Sequence, residues 1–230
     1  MSVETLTSDP AINLVYIDQA IIVLDKPSGL LSVPGRGPDK QDCLSARVQA
    51  HYDDARVVHR LDMATSGLIV MARGAEVQRA LNDAFANRLV AKRYEAIVQG
   101  EVHAPLETWR VIDLPIGVDW PNRPRRRIDA LTGKASITRL QVTHFDAGRQ
   151  VSHVTLEPLT GRTHQLRLHL QAIGHPILGD ALYATPEVAA RSPRLLLHAS
   201  ELCLAHPLTG LSMQFKLQRL KYSGDSYTKR

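Results

Sequence analysis

Two cysteines, Cys43 and Cys203, are all that 230 residues contain, and they lie far apart without forming a C-x-x-C pair. Their scarcity excludes a disulfide framework, gives no support to a cysteine-rich zinc site, and makes a reducing cytoplasm the default location. Long apolar runs are missing too. Stretches such as Ala20 to Leu24 fall far short of the ~20 residues a membrane-spanning helix needs. Met1 to Pro10 carries acidic and hydroxyl side chains where a signal peptide has a basic and then an apolar segment, so export is not expected. Aromatic residues make up 5% of the chain, and the isolation of Phe85, Phe145 and Phe215 argues against the serial stacking platforms of single-strand binders. Neither G-x-x-x-x-G-K nor G-x-G-x-x-G occurs, which leaves nucleotide cofactors without support. His164, His169 and His175 lack the four-residue helical spacing and the completing carboxylate of a metal site, so no metal is expected. No repeat, low-complexity tract or linker interrupts the chain.

What is present is the composition of a packed globular protein, 44% hydrophobic and 22% charged. Lys+Arg 28 against Asp+Glu 23 gives a net charge of +5, which suits a polyanionic partner without proving one. Leu14 to Tyr16 and Ala20 to Leu24 read as a hairpin, its second strand buried on both faces and ended by Lys26-Pro27-Ser28-Gly29. Val77, Ala80, Leu81, Ala84 and Phe85 give residues 75–88 the spacing of an amphipathic helix. Strand character returns over 92–100. Residues 136–144 and 150–156 flank the turn Asp146-Ala147-Gly148, and 195–205 and 211–216 form a further pair. A second helix is predicted over 163–173, capped by Thr163, stopped by Gly174, with Leu166, Leu170 and Ile173 as its buried stripe and Arg167 at the stripe's edge. Strand pairs outnumber helices without alternating with them. The expected class is therefore α+β, with a mixed, largely antiparallel central sheet flanked by helices and loops around a catalytic cleft. One domain is expected over residues 11–218, between mobile tails at 1–10 and 219–230.

The densest chemistry lies in Val57 to Val70, where two apolar strands enclose a connection holding His59, Arg60 and Asp62. Read from composition alone, such a connection is as compatible with a turn-capping Asp62 as with a reactive carboxylate. Arg123, Arg125, Arg126 and Arg127, with Lys134 close behind, form the strongest basic cluster and are expected to contact the phosphates of a polyanionic partner.

His59-Arg60-Leu61-Asp62 followed by Thr65-Ser66-Gly67-Leu68 resembles the H-R-L-D-x-x-T-S-G signature of the RluA family of pseudouridine synthases. Four more segments match in order. Asp25 to Leu30 resembles the K-P-x-G-L element and Lys92-Arg93-Tyr94 the K-x-Y element. Thr160 to His169 resembles G-R-x-H-Q-L-R-x-H, and Gly174 to Asp180 the following G-H-P-I-x-G-D. Leu195 to Ala199 and His206-Pro207 complete a resemblance running from about Leu14 to Lys216.

The resemblance implies an RNA-uridine isomerase with Asp62 as catalytic carboxylate, acting at ribose C1′ as nucleophile or at C2′ as base; the sequence does not choose between them. It assigns Asp62's cationic partner to Arg167, since a guanidinium favours and orients an ionised carboxylate. It makes Tyr94 a stacking platform for the target uracil and a possible proton relay. Arg60 would fill the space left by the everted base, and His59 and Arg162 would contact RNA; by itself, His59 reads as a hydrogen-bonding structural imidazole. The likeness of Asp119 to Pro124 and Leu30 to Arg36 is to a short member that acts on 23S ribosomal RNA and on the anticodon stem-loop of transfer RNA. The early position of Lys26 leaves no room for an S4-type RNA-binding domain ahead of it. A cytoplasmic monomer without cofactor or metal is expected. Two alternatives are weighed against this: a non-catalytic RNA-binding or RNA-chaperone protein, and a glycosidic-bond hydrolase, which needs a second carboxylate that the Asp62 motif lacks.

Overall fold

The computed structural model describes residues 12–218 and 220–222. In chain order it contains β1 (Leu14–Ile17), β2 (Ile21–Lys26), α1 (Leu44–Gln49), β3 (Ala55–Val57), β4 (Ser66–Arg73) and α2 (Gly74–Ala86). Then come β5 (Ala91–Gln99), β6 (Trp109–Asp113), β7 (Ile116–Val118), β8 (Arg126–Ile128), β9 (Ile137–Asp146) and β10 (Val151–Pro158). The chain continues with α3 (Gln165–Ala172), α4 (Pro186–Ala189), β11 (Leu197–Ala205) and β12 (Ser212–Lys216). The class is α+β, as expected. Among the described residues no helix is long and apolar enough to cross a membrane.

The chain divides into two compact units, residues 12–92 with 201–217 and residues 93–200 with 218 and 220–222, so the division falls within β5 and within β11. In the first unit β1, β2 and β4 form antiparallel ladders, β3 also pairs with β4, and the end of β11 pairs with β12. Asp18 turns the first hairpin by accepting the backbone N–H groups of Ala20 and Ile21 at 2.7 and 2.8 Å. Strands β2 and β4 read as near-continuous apolar runs because both of their faces are covered. Helix α2 supplies part of that cover with Val77 and Leu81, one turn apart, against Ile21, Val23, Leu68 and Val70.

In the second unit β5, β10, β9 and β6 lie side by side, all antiparallel, and β7 with β8 forms a separate hairpin. The β9–β10 turn falls where Asp146-Ala147-Gly148 predicted it, but the left-handed residue is Gln150 rather than Gly148. Asp146 Oδ1 holds that turn by accepting the Arg149 N–H at 3.0 Å. Residues 1–10 lie outside the described chain. Of the expected C-terminal tail, Leu220 is 6% exposed and donates its N–H to Glu95 at 2.7 Å, and the Tyr222 ring faces the Arg149 guanidinium at 5.5 Å.

Helix α3 departs from expectation at its start and on its exposed side. Thr163 does not cap it. His164 occupies the N-cap in the left-handed region (φ 59°) without a side-chain cap, and Gln165 instead anchors the start of the helix: its Oε1 accepts from Arg162 N–H and Thr160 Oγ1, and its Nε2 donates to Ile137 O. Every residue from Gln165 to Leu170 is buried, so Arg167 borders no solvated face; exposure begins at Gln171 and Ala172, and Ile173 is 36% exposed instead of buried. Gly174 stops the helix with φ +87°, as its position predicts.

Two glycines test this account. Gly174 has open space where a Cβ would project, whereas at Gly179 (φ +75°) a Cβ would lie 1.9 Å from the Arg194 carbonyl oxygen. Gly174→Ala is therefore expected to cost only the left-handed penalty of about 1–2 kcal/mol. Gly179→Ala is expected to cost clearly more, measured by urea unfolding; equal losses would contradict the close backbone approach.

Candidate active site

In the first unit the central feature is a buried lysine. Lys26, at the end of β2, has no exposed surface, and its Nζ donates to the carbonyls of Pro27, Leu30 and Met63 at 2.8, 2.7 and 3.0 Å. Those carbonyls belong to two segments, the turn after β2 and the β3–β4 connection, so one ammonium fastens them together. Burial lowers its pKa to about 8, against the opposing fields of Asp62 and Asp25. Further bonds run in parallel. Ser28 Oγ donates to Ala64 O at 2.7 Å, Gly29 N–H to Met63 O at 2.9 Å, and Ser32 Oγ to Leu61 O at 2.8 Å while accepting the Leu61 N–H at 3.1 Å. The Lys26-Pro27-Ser28-Gly29-Leu30 element is therefore a clasp around the segment that presents Asp62. Asp62 is half-buried, between buried Leu61 and exposed Met63, and its carbonyl accepts the Thr65 N–H at 3.0 Å.

His59 and Arg60 precede it with different environments. His59 Nε2 accepts the Val70 N–H at 3.0 Å, and its ring stacks on Phe85 with centroids 4.5 Å apart. Burial, and then the nearby Lys92 ammonium, hold its pKa down at about 3, so the imidazole is neutral and cements the loop to β4. Arg60 is exposed.

In the second unit Arg167 is 4% exposed and makes a two-pronged ion pair with Asp180: Nε to Oδ2 at 2.8 Å and Nη2 to Oδ1 at 2.6 Å. The guanidinium also lies over the Tyr183 ring, 5.2 Å from its centroid. Asp180 is itself 1% exposed, and its Oδ1 accepts the N–H groups of Leu182 and Tyr183 at 2.9 and 3.2 Å. Sequence reasoning passed over Asp180, Tyr183 and the role of Lys26. The signal for Asp180 was available, because an arginine on a buried helix requires an acid, and the Gly-His-Pro-Ile-Leu-Gly-Asp segment supplies one.

The basic cluster lies in the same unit, on and beside the β7–β8 hairpin. Arg123, Arg125, Arg127 and Lys134 are exposed; Arg123 stacks on exposed Trp120 at 4.8 Å, and Arg127 pairs with Asp129 at 3.0 Å. Arg126 is half-buried, its backbone N–H donates to Tyr183 Oη at 2.8 Å, and its side-chain Nε is buried without a hydrogen-bond partner. Arg162 is exposed and donates from Nε to Ala135 O at 3.3 Å. Tyr94 is half-buried on β5 opposite Leu156. The structure thus joins Arg126 to Arg167 through Tyr183, while His59, Arg60 and Asp62 share one clasped loop.

A family profile described as RNA pseudouridylate synthase matches residues 20–172. The chain belongs to that family. It is 47% identical over 208 residues to the dual-specificity RNA pseudouridine synthase RluA of Escherichia coli K12, covering 90% of this chain and 93% of the relative. The Haemophilus influenzae enzyme of the same description is 44% identical over 207 residues, again 90% and 93%. Among solved structures, human RNA Pseudouridylate Synthase Domain Containing 1 superposes with a TM-score of 0.74 at 28% identity, covering 95% of this chain and 86% of its own. Human RNA Pseudouridylate Synthase Domain Containing 4 shares the fold with a TM-score of 0.68 at 23% identity, over 90% and 88%. Pseudouridylate synthases are isomerases, so the chain is an enzyme acting on RNA, and the binding-only alternative is not favoured.

The neutral state of His59 gives a pH prediction. Its pKa is near 6.5 in an unfolded chain and about 3 here, so the unfolded chain takes up the proton first. The stability tied to the neutral ring is whole above that ordinary value and is lost as pH falls toward about 3. Urea midpoints are expected to be lower at about pH 5 than at about pH 7, with a smaller gap in His59→Gln, which keeps an acceptor for Val70. An unchanged gap would assign the acid sensitivity elsewhere.

Proposed function

We propose that this enzyme converts uridine to pseudouridine in structured stem-loops, with 23S ribosomal RNA and the transfer RNA anticodon stem-loop as its substrates. The 47% identity to dual-specificity synthases over nine-tenths of the chain supports the substrate pair. The clasped Asp62 loop supports the chemistry. In the reaction the C1′–N1 bond breaks, the uracil turns, C1′ joins C5, and the proton on C5 leaves while N1 gains one, so no electrons are exchanged.

In this reading Asp62 in its ionised form attacks C1′ or removes the C2′ proton, and the Lys26 clasp keeps its backbone from yielding as the charge moves. Arg167 is the cation that orients and stabilises the carboxylate, itself fixed by Asp180. Tyr94 stacks on the uracil and serves its C5 proton. Taking the base out of its helix costs a few kcal/mol, which Arg60 offsets by filling the space and contacting phosphate. His59 holds the loop on which Arg60 meets RNA. The arginines 123, 125, 126 and 127, with Lys134 and Arg162, neutralise phosphates, which makes affinity fall with salt. The enzyme works in the cytoplasm as a monomer, without metal or cofactor.

Stem-loop RNA tritiated at uracil C5 tests this. Isomerisation releases tritium without strand breakage or free uracil, binding releases none, and hydrolysis liberates base. Asp62→Asn is expected to bind RNA and lose more than about a thousandfold in rate; full turnover would reject its role. Arg167→Lys keeps the charge but loses the planar fork, and a severe rate loss is expected, which wild-type activity would contradict. Tyr94→Phe separates two roles: stacking alone leaves the rate nearly unchanged, whereas proton transfer through the hydroxyl lowers it strongly.

A further inference from the structure

Tyr183 touches both halves of the second unit's chemistry. Its ring carries the Arg167 guanidinium at 5.2 Å, while its hydroxyl accepts the Arg126 backbone N–H at 2.8 Å and meets His164 Nδ1 at 2.8 Å. Having accepted from Arg126, the phenol oxygen can give its single proton to His164, so both contacts are satisfied at once. His164 adopts left-handed backbone to stand there, an uncommon conformation for a residue with a side chain, and its ring meets Tyr183 edge-on with centroids 5.6 Å apart. The Tyr183 backbone N–H is held in turn by Asp180, the acid that grips Arg167. One side chain therefore ties the first residue of β8, in the middle of the arginine cluster, to the face of the guanidinium.

The geometry points to Tyr183 as a positioning residue that couples RNA grip by the β7–β8 hairpin to the placement of Arg167. This rests on the reading of Arg167 as the cation serving Asp62. Arg126 adds an observation of its own. Its buried Nε lacks a partner, an unfavourable state that a small shift of the hairpin under bound phosphate relieves. Because the hairpin backbone hangs on the Tyr183 hydroxyl, such a shift reaches the ring beneath Arg167. Tyr183 touches no substrate; it acts through its two neighbours. The hydroxyl holds the hairpin and the ring carries the guanidinium, so one side chain links the two.

Single-turnover tritium release against RNA concentration separates them. Tyr183→Phe retains the ring and loses the hydroxyl. The RNA concentration for half-maximal rate is expected to rise about fivefold, the loss of one hydrogen bond, and the maximal rate to fall about threefold, because the hairpin no longer bears on the ring beneath Arg167. Tyr183→Leu also loses the ring, and its maximal rate is expected to fall at least about tenfold below that of Tyr183→Phe, because small misplacements of a reacting group are costly. In an Arg125→Gln/Arg127→Gln background the effect of Tyr183→Phe on half-saturation is expected to shrink toward none, since the hairpin no longer grips phosphate; a purely structural tyrosine would weaken both backgrounds equally. The coupling is overturned if Tyr183→Phe leaves half-saturation unchanged, if the two Tyr183 variants share one maximal rate, or if the effects simply multiply. Thermal melts of each variant identify any that fails to fold, in which case the Tyr183→Phe comparison alone decides. Absence of tritium release from the wild-type protein would instead reject the function on which the coupling rests.

Discussion

A guanidinium buried to 4% exposure cannot stand alone, and the second unit is arranged around the acid that answers it. Asp180 meets Arg167 with both oxygens, and the same oxygen that accepts from Nη2 also accepts two backbone N–H groups, so the acid is held by its own turn as well as by the arginine. Breaking such a pair by removing one partner costs about 3–5 kcal/mol, because it strands a desolvated charge. The Tyr183 ring lies under the same guanidinium, 5.2 Å from it at the centroid, and adds to its cover. The first unit meets the same problem differently. Lys26 has no exposed surface and gives its protons to three carbonyls, and burial lowers its pKa to about 8. In each unit a buried cation fastens a segment that holds candidate site residues.

Much of the scaffold could be read from residue patterns. The apolar runs of β2 and β4, the paired strands β9 and β10, and the pair β11 and β12 follow from alternation and from turn residues that have local mechanisms. Helix α2 was visible because Val77 and Leu81 share a face. Three strands escaped. In β6, Trp109 to Asp113 alternate weakly and three of the five residues are exposed. Strands β7 and β8 are three residues each, and in β8 the arginines read as a charge cluster before they read as a strand. Helix α1 was overlooked because Leu44 to Gln49 is short, and its cap is the weak acceptor Cys43.

The sequence names candidates for the site but says little of their contacts. Asp62, Arg60 and His59 stand on one strand connection, as their spacing required. Arg167 was misjudged, since a periodicity argument placed it at the edge of a stripe, whereas every residue around it from Gln165 to Leu170 is buried. The left-handed His164 was beyond reach for a different reason: a hydroxyl at residue 163 is the better cap by local propensity, and only the tertiary bonds of Gln165 to Thr160 and Ile137 overrule it. Asp180 and Tyr183 lie thirteen and sixteen residues beyond Arg167, so no helical or strand period links them to it. Charge balance, which operates over space rather than along the chain, points to Asp180 alone; nothing in the sequence pattern points to the neutral Tyr183.

The most direct test of this account is the single-turnover rate of Asp180→Asn on stem-loop RNA, measured on protein whose melting shows a cooperative fold. An asparagine keeps the size and one acceptor but withdraws the charge that fixes Arg167. The account predicts a maximal rate at least about tenfold below wild type with half-saturation by RNA changed less than about twofold. A folded Asp180→Asn enzyme that turns over at the wild-type rate would contradict it.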